Sequence, residues 1–370
     1  MNKNHLYIDI HVLQTVPPSC VNRDDTGSPK TAVYGGVRRA RVSSQAWKRA
    51  VRIAFREMYA PEDLSARTKR IVRMVEKHII ALKNVEDAEK LAVDVLKQAG
   101  LPVNEKDLDK GTEALFFMSE AQAEALAQIA VNEPEKMKDK ESCKAALRGN
   151  PSIDLALFGR MVASDPSLNY DAAAQVAHAI STHGVQNEFD YFTAVDDLAP
   201  EDNAGAGHLG TVEFNSSTLY RYATINVTEL CNGLGEDTPV AVRHFIEAFV
   251  CSMPTGKQNT FANRTLPCTV YVAARRDQPV NLVGAFEQPV QADRLGGYEE
   301  SSCKRLDAYA QKVYENYADS PVEAWVMGFE MQDTEKVSMP KLLEKVETFR
   351  LNAKLWGHEG SEHTFALMHQ

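Results

Sequence analysis

The sequence predicts an α+β fold organised around a split βαβ, ferredoxin-like core. Three observations carry that prediction. A strand, a hairpin and an amphipathic helix follow one another near the N-terminus. A strand, a helix and a strand recur between residues 218 and 274, and a long helical stretch separates the two groups. With 370 residues, the chain is long enough for one large domain with insertions or for two domains.

Residues 6–14 read as the first strand, with Ile8, Ile10 and Val12 on one face. Thr31 to Tyr34 and Val37 to Ser43 read as two extended segments around Gly35-Gly36, a pair suited to a turn at positive φ. Ser43 or Ser44 supplies a hydroxyl N-cap, and Gln45 to Met58 reads as a helix. On it Trp47, Ala50, Val51, Ala54, Phe55 and Met58 form one apolar face. Gln45, Lys48, Arg49, Arg52 and Arg56 form another.

From Pro61 to Leu147 the spacing predicts an all-helical insertion, punctuated by Pro102, Gly111 and Pro134. Two further amphipathic segments follow, at Asp154 to Ala163 and Ala172 to Thr182. Residues 184–210 differ from the rest. Six acids between Glu188 and Asp202 meet no base, and Gly205, Gly207 and Gly210 follow, which predicts a projecting ribbon or long loop. Thr218 to Val227 and Pro267 to Ala274 read as strands on either side of a helix from Pro239 to Met253. Leu282 to Phe286, a helix near Ser302 to Tyr317, a strand near Ala324 to Met331 and a helix from Pro340 decorate the edge.

Charge points to an anionic partner. The chain carries a net charge of −10, yet Cys20 to Arg56 holds nine Lys or Arg side chains against Asp24 and Asp25, a local net of +7. Concentrated positive charge in an acidic chain marks a site, since diffuse attraction to a polyanion would spread it. The capped helix N-terminus adds free N–H groups that favour phosphate.

Other chemistries find little support. Thr255-Gly256-Lys257 resembles part of a P-loop, but Cys251 stands where the first glycine belongs and Gln258 where a hydroxyl would bind magnesium. The loop with Lys257 and Gln258 is a plain turn or a hold for a phosphate or base edge. His178 and His183 lack a third ligand at metal spacing, so packing or surface roles are expected. Asp24 and Asp25 serve to pair with neighbouring cations rather than to hold two metals. No catalytic site, metal or cofactor is expected. Lys136, Lys140, Lys144 and Arg148 lie four apart, with Lys138 nearby. Interleaved acids make them a salt-bridged helix face, the sharper alternative being a weak contact to a second nucleic-acid strand. Six dispersed cysteines without a CxxC, no run of eighteen apolar residues and a strand-like start without a signal-peptide run predict a cytoplasmic chain that spans no membrane.

The segments IDIHVLQTVPPSCVNRDDTGSPK and YGGVRRARVSSQAWKRAVR resemble the CasC family, the backbone subunit of type I-E CRISPR Cascade complexes. DLALFGRM, AHAISTHGV, DYFTAVDDL, GHLGTVEF and LYRYATINV continue the resemblance in order, over residues 5–290. It implies a hand-like shape. Residues 1–60 and 213–370 would form an RRM-like palm, 61–183 a mainly helical fingers insertion and 184–212 a thumb ribbon. It also implies copies that polymerise along one CRISPR RNA, bind other Cascade subunits and present guide bases for pairing to target DNA, without being the nuclease. The family's palm contacts fall on Lys30, Ser43, Gln45, Lys48, Arg49 and Arg52. Its apolar wedge falls on Met161, and its thumb contacts fall on Phe192 and Thr193. A thioether or ring replaces stacking lost by a flipped base. The aromatic signature of ordinary RRMs is missing, so stacking on the sheet face is not expected. Backbone subunits of type III complexes, which cleave RNA with a similarly placed Asp, make a metal-dependent ribonuclease using Asp24 or Asp25 the rival reading.

Overall fold

The computed structural model describes residues 5–104, 111–112, 114–194 and 208–349. The opening elements are β1 (Tyr7–Ser19), the hairpin β2 (Thr31–Tyr34) and β3 (Val37–Val42), and α1 (Ser44–Met58). Next come β4 (Ser65–Thr68), α2 (Ile71–Leu82), α3 (Ala88–Gln98), β5 (Phe116–Ser119), α4 (Glu120–Asn132), α5 (Pro134–Met137), α6 (Lys140–Arg148) and α7 (Ile153–Phe158). The chain then adds β6 (Ala174–Val176), β7 (Ala179–Ser181), β8 (Glu188–Ala194), β9 (His208–Asn226), α8 (Val227–Leu234), α9 (Thr238–Cys251), α10 (Gln258–Phe261) and β10 (Thr269–Arg275). It closes with α11 (Glu299–Asn316), β11 (Glu323–Gly328), β12 (Glu335–Lys336) and α12 (Met339–Thr348). Among the described residues no helix is long and apolar enough to cross a membrane.

The fold is α+β, on a large and mostly antiparallel sheet of order β12-β11-β10-β1-β9-β7-β3-β2, with β6 and β8 also paired to β9. β1 lies at its centre, antiparallel to β10 and to β9. Ile8, Ile10 and Val12 point into a core shared with Val51 and Phe55 of α1 and Phe245 and Phe249 of α9. The alternate positions do not face water. Leu13, Tyr220, Tyr222 and Tyr271 are buried on the opposite face beneath Leu282, Phe286 and Leu306. The segment from Leu282 to Phe286 and α11 therefore cover the face on which an RRM would stack bases.

β9 explains the glycine- and acid-rich stretch. Its second half, from Asn215 to Asn226, pairs with β1, while His208 to Phe214 pairs only with β8. One long strand thus leaves the sheet as a two-stranded ribbon. The acids at 196, 197, 201 and 202 and the glycines at 205 and 207 lie outside the described residues.

Four expectations need correction. The insertion is not all helical: Ser65–Thr68 and Phe116–Ser119 pair as a separate two-stranded ribbon, a contact between distant segments that local periodicity cannot reveal. Its helices keep a core of their own, including Ile71, Val75, Leu96 and Leu126. The segment from Ala172 contains β6 and β7 rather than one amphipathic element. The one after Asp154 stops as a helix at Phe158, because Gly159 turns to φ 71°. The fourth concerns the lysines near 140. Pro134 starts α5, and Asp139 caps a new helix by accepting from Glu141 and Ser142 N–H groups, so Lys136 and Lys144 share no continuous face.

Packing of α1 sets the orientation of everything on its outer side. Trp47, Val51 and Phe55 are fully buried, each burial being worth about 2 kcal/mol or more. Arg221 of β9 stacks 3.7 Å from the Trp47 ring centroid and donates to Gln14 Oε1 at 2.6 Å and to the Phe249 carbonyl. Trp47→Ala should cost about 3–5 kcal/mol in urea unfolding, through the cavity and the uncovered guanidinium; a loss under 1 kcal/mol would refute this account of α1 packing.

Candidate nucleic-acid interface

Ser43 caps α1 as the sequence predicts, its Oγ accepting from Ala46 N–H at 3.3 Å. Its own N–H donates to Asn22 Oδ1 at 2.9 Å, which ties the cap to the loop before β2. The outer stripe of α1 then lines a cleft of about 660 Å³ together with β4, β5 and Phe158. Gln45, Lys48, Arg49, Arg52 and Arg56 all reach it, so one wall holds the five helix-face residues singled out by spacing.

The opposite wall supplies what spacing missed. Arg67 of β4 adds a further cation, and Phe117 of β5 adds a ring. The guanidinium carbons of Arg52 and Arg67 lie 4.5 and 5.6 Å from the Phe117 centroid, and Lys48 Nζ lies 6.0 Å from that of Phe158. No sequence signal marks Arg67, because only the pairing of β4 with β5 brings it to α1.

Electrostatically the cleft is poised for an anion. Burial, and then the adjacent Arg67, hold the Lys48 ammonium below its ordinary range. Burial lowers Arg52 too, although Asp154, with Oδ2 at 3.4 Å, opposes the shift. Among the described residues no carboxylate pairs with Lys48, Arg49, Arg56 or Arg67. Lys48, partly dehydrated and without an acid partner, gains most from a phosphate oxygen, which replaces lost water with a charge-assisted hydrogen bond.

Met161 is 85% exposed. Its neighbour Arg160 explains why. Arg160 is buried and donates to the carbonyls of Phe117, Leu147 and Leu168 and to Gln122 Oε1. Burial pulls its pKa down to about 10. With residue 160 anchored inward and Gly159 turning at positive φ, the thioether of Met161 is left in solvent.

The remaining expected residues lie elsewhere. Phe192 and Thr193 sit on β8 of the ribbon, opposite Gly210 and Leu209. A Cβ on Gly210 would stand 2.3 Å from Phe192 Cζ, so the missing side chain is what lets that ring lie across the strand. Gln258 lines a small pocket on the flank of α1, with Ile53 forming the ridge between it and the cationic cleft. Lys257 adopts φ 51° beside Gly256, whose Cα packs so close to Val21 that a Cβ would clash with the Val21 carbonyl. Lys30 lies before β2, its carbonyl accepting from Arg41 N–H at 2.9 Å.

Four of the five candidate cations of the insertion are engaged with acids. Lys136 pairs with Glu133, Lys138 with Glu135 at 2.8 Å and Arg148 with Glu141 at 3.1 Å. Lys144 is buried, bound to Asp165 at 2.7 Å and Ser167 at 2.6 Å, which spends its charge inside the fold and corrects its placement as a contact for nucleic acid. Lys140 is exposed.

Asp24 serves its own loop. Its Oδ1 accepts from Thr26 N–H at 3.0 Å, Thr26 Oγ at 2.7 Å and Ser28 N–H at 3.0 Å. The Thr26 hydroxyl, ahead of the backbone donors, holds its carboxyl below the usual range. This replaces the expected pairing with cations by an Asx turn. Asp25 is exposed, and the two acids line an open hollow with Gly256. Among the described residues no group of three or more His, Cys, Asp or Glu is placed to hold a metal.

Comparison with known proteins adds a family. No curated protein matches the chain. A chain of the solved structure "CRISPR RNA-guided surveillance complex, pre-nicking" is 33% identical and superposes with a TM-score of 0.75, over 93% of this chain and 99% of that one. A chain of a second, "CRISPR RNA-guided surveillance complex", is 30% identical with a TM-score of 0.61 over the same shares. The model of the CT1975-like protein family matches residues 8–352, nearly the whole molecule that carries the α1 cleft, and the chain therefore belongs to the CT1975-like family.

Proposed function

We propose that this chain is a CRISPR RNA-binding backbone subunit of a type I-E surveillance complex, a CasC-like protein that polymerises along the guide and presents its bases to target DNA without cleaving. The carrying observation is the cleft in which Gln45, Lys48, Arg49, Arg52, Arg56 and Arg67 converge, where among the described residues the one ion pair is Arg52 with Asp154. Family membership and the two surveillance-complex relatives support the same reading.

In this reading β1, β9, β10 and β7 act as an RRM-like palm, since β1 sits between β10 and β9 as the first strand of a split βαβ does. The covered sheet face leaves the outer stripe of α1 as the surface for the guide. Residues 61–183 act as fingers, and the β8–β9 ribbon as a thumb that lays Phe192 and Thr193 on a neighbouring copy's RNA. Met161 is the wedge that replaces lost stacking where a guide base is turned out. Lys30, Ser43, Lys257 and Gln258 extend the backbone contacts, and Lys140 remains the candidate for a DNA contact. The site needs no cofactor, and the subunit works in the cytoplasm with other Cascade subunits.

Purified protein should bind single-stranded RNA with an affinity that grows with strand length and falls with salt, by about 0.7 in log–log slope for each phosphate neutralised. Lys48→Ala with Arg49→Ala should flatten that slope by roughly 1.4; an unchanged slope in a folded variant sinks the palm assignment. Met161→Ala should leave affinity nearly intact and slow pairing of complementary DNA to bound guide, measured by strand-capture kinetics. Equal loss of both would argue against a wedge.

The ribonuclease reading has a direct test. Assembled protein with guide, complementary RNA and magnesium should leave the RNA whole. Regularly spaced cuts that Asp24→Asn or Asp25→Asn abolishes would overturn the non-catalytic assignment.

A further inference from the structure

Arg41 and His178 have no part in the reading so far, yet they form a defined structure with Lys30. Arg41 leaves β3 beside the N-cap of α1, and its Nε donates to the Thr31 carbonyl at 3.2 Å. Its Nη1 lies 3.1 Å from His178 Nδ1. A guanidinium only donates, so Nδ1 accepts and the neutral ring carries its proton on Nε2. His178 is exposed, which leaves that N–H available to solvent or ligand.

The charge around the ring is one-sided. Burial, and then Arg41 and Lys30, hold the imidazole below its ordinary pKa, and both of those neighbours are cations. Among the described residues neither Arg41 nor Lys30 has a carboxylate partner. A guanidinium, an ammonium and an imidazole donor held together without an acid favour an anion among them. The group also continues a path. Arg41 precedes the cap Ser43 by two residues, so an anionic strand that follows the outer stripe of α1 past its N-terminus meets it next.

From this geometry we infer that Lys30, Arg41 and His178 form a second phosphodiester site, in which Arg41 fixes the imidazole tautomer and His178 donates through Nε2 to the RNA backbone. The inference deepens the RNA-binding reading and rests on it. His183, five residues on, differs in kind: it is buried, stacks on Tyr298 at 3.6 Å and accepts from Thr218 N–H.

The test is equilibrium binding of labelled single-stranded RNA to the full chain across a salt series. Arg41→Gln should weaken binding about tenfold, the scale of one charge-assisted hydrogen bond, and flatten the slope by about 0.7. His178→Ala should weaken binding with the slope unchanged, because a neutral donor is lost, and His178→Gln, which keeps an N–H, should recover most of it. Should Arg41→Gln fail to fold, Lys30→Gln reports the same phosphate and should show the same flattening. Folded variants with unchanged affinity and slope overturn the site. If Lys48→Ala with Arg49→Ala still flattens the slope, that failure belongs to this site alone. If it does not, the RNA reading itself has failed.

Discussion

The guanidinium of Arg221 is the contact on which the binding surface depends. It rises from β9, lies between the rings of Trp47 and Phe249, and ends on Gln14 of β1 and the last turn of α9. One side chain thereby joins the two central strands to both helices packed on them. Burial lowers its pKa to about 9, and two rings with two acceptor oxygens take the place of water around the charge. Once Trp47 is held in this way, helical geometry leaves Gln45, Lys48, Arg49, Arg52 and Arg56 facing outward across β4 and β5.

Covering both faces of the sheet has a functional consequence. Tyr220, Tyr222 and Tyr271 would be natural stacking platforms on an open sheet, but they are buried with His11 under α11 and the segment near Phe286. Recognition is displaced to a helix edge, where cations and not aromatics dominate. A surface of this kind can hold a single strand by its backbone without reading its bases.

Three neighbouring arginines show how residues of one type part ways. Arg38 is exposed at the rim of a cleft near the ribbon base. Arg39 is fully buried and donates to the carbonyls of Tyr34, Ser181, Phe286 and Glu287, so it welds the hairpin to β7 and to the segment that caps the sheet. Arg41 holds His178. Strand alternation puts Arg38 on the opposite face from Arg39 and Arg41, but what parts the last two is what packs against each, and residues 181 and 286, which receive Arg39, are far away in sequence.

The sequence by itself determined the helix α1, its cap and the separation of its apolar and cationic stripes, because these depend on contacts within three or four residues. It determined β1, the hairpin and the departure of β8 and the start of β9 from the core for the same reason: alternation, glycines and a run of acids without bases are local. Only the tertiary structure decided the second wall of the cleft, since Arg67 and Phe117 reach α1 through a pairing between segments about fifty residues apart in the chain. It alone decided that Lys144 is spent on Asp165, that Arg160 turns inward so that Met161 turns outward, and that Arg41 meets His178. Each of these depends on which distant oxygen or nitrogen arrives within hydrogen-bonding distance, and spacing along a chain carries no record of that.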